Sequence, residues 1–211
     1  MDPAQTGFAF EVSRDAYDRA CVARGDYAEA ARMVLQALEG HGLQMQPLVS
    51  LGAGKGILEW HLKRLKSDLH LWCTDFAPAS VQMLADYQPE VERVFVFDVV
   101  NGDYKMFDQN STLLMYRIST EFSATAWRQI FQKIRAARIK TIIFVPTEIA
   151  TFKIKLLEVL SRLKAFLLGR RQVFCGWLYG DSEIRSFFDG YELVEFRPYG
   201  QTAVYVFRRQ G

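Results

Sequence analysis

The chain has 211 residues, half of them apolar and 24% charged, which excludes a disordered or collagen-like polymer and is enough to bury a core. Its 26 basic and 24 acidic side chains leave a formal charge of +2, which argues against a uniformly basic nucleic-acid binder while leaving room for a local basic patch. The three cysteines, Cys21, Cys73 and Cys175, are too widely spaced for a disulfide framework or a zinc pair, and read as buried, reduced thiols.

The first residues, Met1 to Gln5, carry neither the basic region nor the apolar run of a secretion signal. The expectation is a soluble, cytoplasmic protein with no transmembrane segment. From Ser13 to Leu38, apolar residues at Ala16, Ala20, Ala23, Tyr27, Ala31, Val34 and Leu38 predict helix, with a break near Gly25-Asp26 and a stop at Gly40 and Gly42. Short apolar runs then alternate with helical patterns. Pro47–Leu51, Leu69–Thr74, Arg93–Phe97, Thr112–Ile118 and Thr141–Val145 read as strands. Ile57–Leu65 reads as a helix with Leu58, Leu62 and Leu65 on one face, Ala77–Asp86 as a helix opened by Pro78, and Ser123–Ala137 as a helix capped by Ser123.

A basic amphipathic helix is predicted over about 151–168, and a further helix over Asp181–Phe188. Two last strands, Tyr191–Arg197 and Thr202–Arg208, flank Pro198-Tyr199-Gly200 and predict an antiparallel hairpin. The pattern is α/β: a single seven-stranded, mostly parallel sheet with helices on both faces and an antiparallel pair at its end. Residues 1–45 read as an N-terminal helical cap and residues 46–211 as the main domain.

Chemistry concentrates after the first strand, in Leu51-Gly52-Ala53-Gly54-Lys55-Gly56. Glycines at a strand-to-helix turn let a ligand approach the backbone and the unpaired N–H groups of the next helix. A dinucleotide fingerprint needs its third glycine at position 57, which is Ile57, and a phosphate-binding P-loop needs a longer spacing. The pattern present is G-x-G-x-G.

In this motif, and over about Pro47 to Arg208, the chain resembles the class I S-adenosylmethionine-dependent methyltransferases. The resemblance implies a Rossmann-like fold, S-adenosylmethionine as cofactor, and a cofactor site built from Ser50, Gly52, Ala53, Gly54 and Gly56. It implies that Asp75 holds the ribose hydroxyls, that Asp98 and Val99 meet the adenine with Phe76 flanking it, and that Tyr17 reaches the cofactor from the N-terminal segment. Tyr116 belongs to the same set. Ser50 departs from the family, which places an acid there, as do the missing acid at the start of the fourth strand and the missing N/D-P-P-Y/F after it. Ligands of open α/β sheets sit at the carboxyl ends of the strands. That places Arg117, Ser119 and Glu121 after the fourth strand, and Thr147 and Glu148 after the fifth, near the reacting groups. Glu148, Glu121 and Arg117 are the candidate catalytic residues, with Glu148 the candidate base. His41, His61 and His70 read as solvated or structural, and no spacing predicts a catalytic metal.

The expected activity is methyl transfer to an acceptor, a small molecule by preference. Two alternatives stay open: a non-catalytic regulatory protein that binds S-adenosylmethionine, and a nicotinamide-dependent oxidoreductase. Segment Lys153–Arg171 sets six basic residues against the single acid Glu158. It reads either as a packed lid or as a docking surface for an anionic partner.

Overall fold

The computed structural model describes residues 13–151, 154 and 176–210, and the chain forms two compact units, one up to Val99 and one from Val100. The first unit contains α1 (Arg14–Val22), α2 (Gly25–Gly40), β1 (Leu48–Leu51), α3 (Ile57–Leu65), β2 (Leu71–Asp75), α4 (Pro78–Tyr87) and β3 (Arg93–Val96). The second contains β4 (Thr112–Tyr116), α5 (Ala124–Ala136), β5 (Thr141–Val145), α6 (Asp181–Phe187), β6 (Tyr191–Tyr199) and β7 (Thr202–Arg209). The seven strands are ordered β3-β2-β1-β4-β5-β7-β6. This is the expected α/β architecture with a seven-stranded, mostly parallel sheet.

In the first unit β1 and β3 each pair parallel with β2. All four residues of β1 are buried, as a run covered on both faces requires. Ser13 caps α1, its hydroxyl accepting from the Ala16 N–H at 3.3 Å, and Pro78 occupies the first turn of α4, where its missing N–H costs nothing. The helical segment breaks at Ala23-Arg24, immediately before Gly25, which opens α2.

Helix α3 differs from its expected single apolar face. Leu58 and Leu62 are buried, but Leu65 is 47% exposed, and Glu59, Trp60, His61 and Lys63 are buried instead. The polar ones are tolerated because each finds a partner. The Trp60 indole donates to Asp18 at 2.8 Å, His61 Nε2 lies 3.0 Å from the Cys21 carbonyl, and Lys63 Nζ donates to the carbonyls of Ser67 and Leu69.

In the second unit β4 and β5 pair parallel, and β7 runs antiparallel between β5 and β6. The core is aromatic. Trp127 stacks on Phe131 with centroids 5.4 Å apart, Phe144 meets Trp127 edge-on, and Phe188 stacks on Phe207 at 3.6 Å. The hairpin turn is tighter than the expected Pro198-Tyr199-Gly200. Pro198 and Tyr199 belong to β6, where they pair with Ala203 and Thr202, and the turn is Gly200-Gln201, with Gly200 at φ 54°. Proline is accommodated because β6 ends the strand order, and an edge strand can spare an N–H.

Cys21 and Cys73 are buried free thiols. The predicted basic helix, apart from Thr151 and Ile154, lies outside the described residues, as does Cys175. Among the described residues no helix is long and apolar enough to cross a membrane.

Gly54 and Gly56 separate two costs of adding a methyl group. Both have positive φ, but a Cβ at Gly54 would meet open space, whereas at Gly56 it would lie 2.2 Å from both Gln88 Nε2 and Leu84 Cδ2. Gly54→Ala should therefore cost about 1 kcal/mol from backbone strain, and Gly56→Ala about 2–4 kcal/mol from strain plus overpacking. Urea unfolding of the two variants measures the difference; equal losses would contradict the packing seen at Gly56.

Candidate functional site

In the first unit the site is built where β1 and β2 end. Gly52, Gly54 and Gly56 have φ of 72°, 57° and 67°, a left-handed series that side chains other than glycine adopt at a cost. The Ala53 N–H donates to the Thr74 carbonyl at 2.9 Å, tying the loop to β2. Asp75, the last residue of β2, completes the arrangement. One of its carboxylate oxygens accepts from the Gly54 N–H and the other from the Ala77 N–H, each at 2.9 Å. An ionised carboxylate offers about four acceptor positions, so two remain for an external donor pair. Phe76, next in sequence, is 72% exposed. Asp98 follows β3 half-buried, and Val99 beside it is buried.

Tyr17 is drawn to this loop from α1. Its hydroxyl donates to the Lys55 carbonyl at 2.7 Å and accepts from Gln88 Nε2 at 2.5 Å. Gln88 also donates to the Gly56 carbonyl at 2.8 Å, and the Tyr17 ring stacks on Tyr87 at 5.0 Å. Burial raises the Tyr17 phenol well above its ordinary range, so it stays protonated and acts as a donor to the loop backbone. The observed role of Tyr17 is to brace the loop, which differs from the expected contact with the cofactor.

A residue absent from the sequence reading lies directly behind the loop. The Ser50 hydroxyl is 2.5 Å from Glu59 Oε1, and both side chains are buried. Burial pushes the Glu59 carboxyl up to about 7, and the charge of Asp75 acts in the same direction while the Ser50 hydrogen bond opposes it. The first turn of α3 therefore supplies a carboxyl beside Ser50. In the sequence Glu59 looks like an ordinary acid in a helix's first turn, where the dipole favours one, and only the pairing with Ser50 sets it apart.

In the second unit the carboxyl ends of β4 and β5 are stitched together. Arg117, which follows β4, has φ 57°, a strained position for arginine of the kind found at functional sites. Its N–H donates to the Val145 carbonyl at 2.7 Å, and its carbonyl accepts from the Thr147 hydroxyl at 3.0 Å. The Thr147 N–H donates to Ser119 Oγ at 2.9 Å, and the Trp127 indole to the Ser119 carbonyl at 3.2 Å. Ser119 and Thr147 thus hold two loops in register, with Arg117 on one and Glu148 on the other. Glu148 is half-buried and makes no side-chain hydrogen bond or ion pair among the described residues.

Glu121 is exposed. Tyr116 is the half-buried last residue of β4, with the Arg117 guanidinium 6.0 Å from its ring centre. The Trp177 N–H donates to the Thr120 carbonyl at 2.9 Å, and the Tyr179 hydroxyl to the Phe122 carbonyl at 2.8 Å. The Trp177 backbone is thereby held to the segment that follows β4, and the residue is 43% exposed.

No protein-family model and no curated protein sequence matches the chain. Solved structures do. Magnesium protoporphyrin IX methyltransferase from Synechocystis PCC 6803, with bound S-adenosylhomocysteine, matches 87% of this chain and 83% of its own at 12% identity, with a TM-score of 0.64. Mitomycin 7-O-methyltransferase matches at 13% identity and a TM-score of 0.63, over 93% of this chain, which spans 57% of that protein's length. A protein described as a zinc-dependent alcohol dehydrogenase from Rhodobacter sphaeroides also matches, at 14% identity over 79% of this chain and 85% of that one, with a TM-score of 0.57. The chain therefore has the Rossmann-like fold of S-adenosylmethionine-dependent methyltransferases. At such identities the likeness establishes the fold, and activity has to be argued from the site.

Glu59 makes stability depend on pH. Its folded value lies above its unfolded one, so the folded state holds the proton more tightly. The stabilising contribution is complete below about 4.5 and is lost as pH rises through about 7. Urea unfolding should show stability falling between mildly acidic and mildly alkaline pH, by at most on the order of 3 kcal/mol. Glu59→Gln, which keeps a hydrogen-bonding partner for Ser50 and cannot ionise, should flatten that fall; an unchanged slope would exclude Glu59 as its source.

Proposed function

We propose that the protein is an S-adenosylmethionine-dependent methyltransferase acting on a small molecule. The observation that carries this reading is the Asp75 carboxylate, fixed on the glycine loop through Gly54 with acceptor capacity left over. The residues fit the cofactor by their chemistry. A carboxylate suits two vicinal ribose hydroxyls because it only accepts where they donate. The exposed ring of Phe76 offers a flat apolar face to adenine, with Asp98 and Val99 beside it. The open space at Gly54 lets a ligand approach the backbone, Ser50, Gly52, Ala53 and Gly56 complete the cradle, and Glu59 places a carboxyl near the cationic end.

When bound, S-adenosylmethionine supplies an electrophilic methyl group on sulfur. The protein's task is then to align an acceptor and exclude water, and alignment alone is worth about 7–11 kcal/mol in favourable cases. Glu148 serves as base when the acceptor arrives protonated. Arg117, fixed by backbone bonds on both sides, orients the acceptor, with Tyr116 beside it and the exposed Glu121 as a further acid. Trp177 forms a wall. In this reading residues 1–45 cap a methyltransferase domain of residues 46–211 and the protein acts in the cytoplasm. The basic segment Lys153–Arg171, which apart from Ile154 lies outside the described residues, has the charge for an anionic partner and the apolar pattern for a packed lid.

The nicotinamide alternative draws on the dehydrogenase among the structural matches, but Ile57 stands where a dinucleotide site has its third glycine. Calorimetry and thermal shift with S-adenosylhomocysteine and NADH decide between them. S-adenosylhomocysteine should bind and raise the melting temperature while NADH does neither. Asp75→Asn, which presents an amide donor where Gly54 and Ala77 already donate, should weaken binding by about ten- to a hundredfold. Stabilisation by NADH alone would overturn the proposal.

A further inference from the structure

The second unit carries a basic groove at the amino ends of β4 and β5, the edge of those strands opposite to Arg117 and Glu148. Two adjoining depressions, of about 660 and 340 Å3, share Ala136 and Arg138. Among the described residues five cationic ones line them, Lys105, Arg138 and Lys140 in the larger and Arg135, Arg138 and Arg209 in the smaller, against one lining acid, Asp108. Backbone bonds lock the rim: the Lys140 N–H donates to the Gln109 carbonyl at 3.1 Å and the Arg209 N–H to the Lys140 carbonyl at 2.9 Å.

Ordinary surface roles account for only part of this charge. Arg135 pairs with Asp189 at 2.9 Å and lies in the last turn of α5, where the helix dipole favours a cation. Among the described residues Lys140 Nζ donates only to the neutral Asn110 amide, at 2.7 Å. Asp108 accepts from the Asn110 N–H at 2.7 Å. Lys105 and Arg138 have no side-chain hydrogen bond or ion pair among the described residues, and both are exposed. Arg138 also stands just past the end of α5 at φ 62°, the left-handed position that glycine normally fills. An arginine there is held against its backbone preference, and it lines both depressions.

We propose that this groove is a binding site for a small ligand with several linked phosphate groups. The larger depression takes one phosphate on Lys105 and Lys140, the smaller takes another on Arg135 and Arg209, and Arg138 bridges them. Guanidinium groups match phosphate oxygens with paired donors. The volume falls in the range of small-ligand pockets. Among the described residues no exposed aromatic lines it, since Phe107 is buried; these residues offer neither the stacking platforms of a single-strand nucleic-acid surface nor the apolar wedge of a membrane surface. The proposal is independent of the methyl-transfer reading.

The test is calorimetry of the full chain with inorganic tripolyphosphate, with ATP to ask whether a nucleotide's phosphates serve equally. Saturable one-site binding that weakens with added salt is expected. Arg138→Gly should reduce affinity by on the order of tenfold while leaving the melting temperature without ligand unchanged or higher, because glycine suits that backbone. Lys105→Ala combined with Lys140→Ala should weaken binding comparably, and none of these changes should alter affinity for S-adenosylhomocysteine. Undiminished affinity in Arg138→Gly would overturn the proposal. So would equal binding of sulfate at matched ionic strength, which indicates an adventitious ion only. Affinity that rises with oligonucleotide length beyond that for tripolyphosphate would overturn it in favour of a nucleic-acid surface.

Discussion

The hydrogen bonds between the Asp75 carboxylate and the N–H groups of Gly54 and Ala77 fix the relation of two strand ends in the first unit. Three successive left-handed glycines have little preference of their own for one conformation. Anchoring Gly54 to the end of β2, and Ala53 to the Thr74 carbonyl, removes that freedom before any ligand arrives. On the other side Tyr17 and Gln88 take up the Lys55 and Gly56 carbonyls. A loop whose donors and acceptors are satisfied from two directions is preorganised, and a ligand need not supply its ordering entropy.

That bracing explains the unusual burial in α3. Gln88 can reach Gly56 only if position 56 has no side chain, and α3 starts from that same glycine. The helix therefore enters the core close to the loop and is enclosed on most sides, so Glu59, His61 and Lys63 must each find a polar partner. A buried carboxyl near neutrality is a consequence of this packing, and the Ser50 hydroxyl is what makes it tolerable.

The parts of the fold set by local pattern were legible in the sequence. Buried runs such as Leu48–Leu51 and Thr141–Val145 have no competing periodicity, and Ser13, Pro78 and Ser123 mark helix starts by the chemistry of their own side chains and backbones. The misreadings lie where tertiary context decides. Leu65 fits a helical stripe by spacing, but the stripe model assumes that one face meets solvent, and α3 does not meet that assumption. Pro198 reads as a turn residue, and only the edge position of β6 lets it remain in a strand. Asp75 could be placed at its strand end from spacing, whereas the contact of Glu59 with Ser50 spans a loop and could not.

Charge shows the same division between what a sum reports and what placement does. The near-neutral total conceals groups of opposite sign set at different strand ends. In the first unit Asp75 ends β2 and Asp98 follows β3, and Glu59 lies against Ser50 of β1. In the second unit the amino ends of β4 and β5 collect cations with few acids among them. Arg138 makes the second case hard to assign to chance solvation. A solvated cation can occupy any exposed position, and glycine would relieve the backbone there, so a cation kept at φ 62° points to a use for its charge.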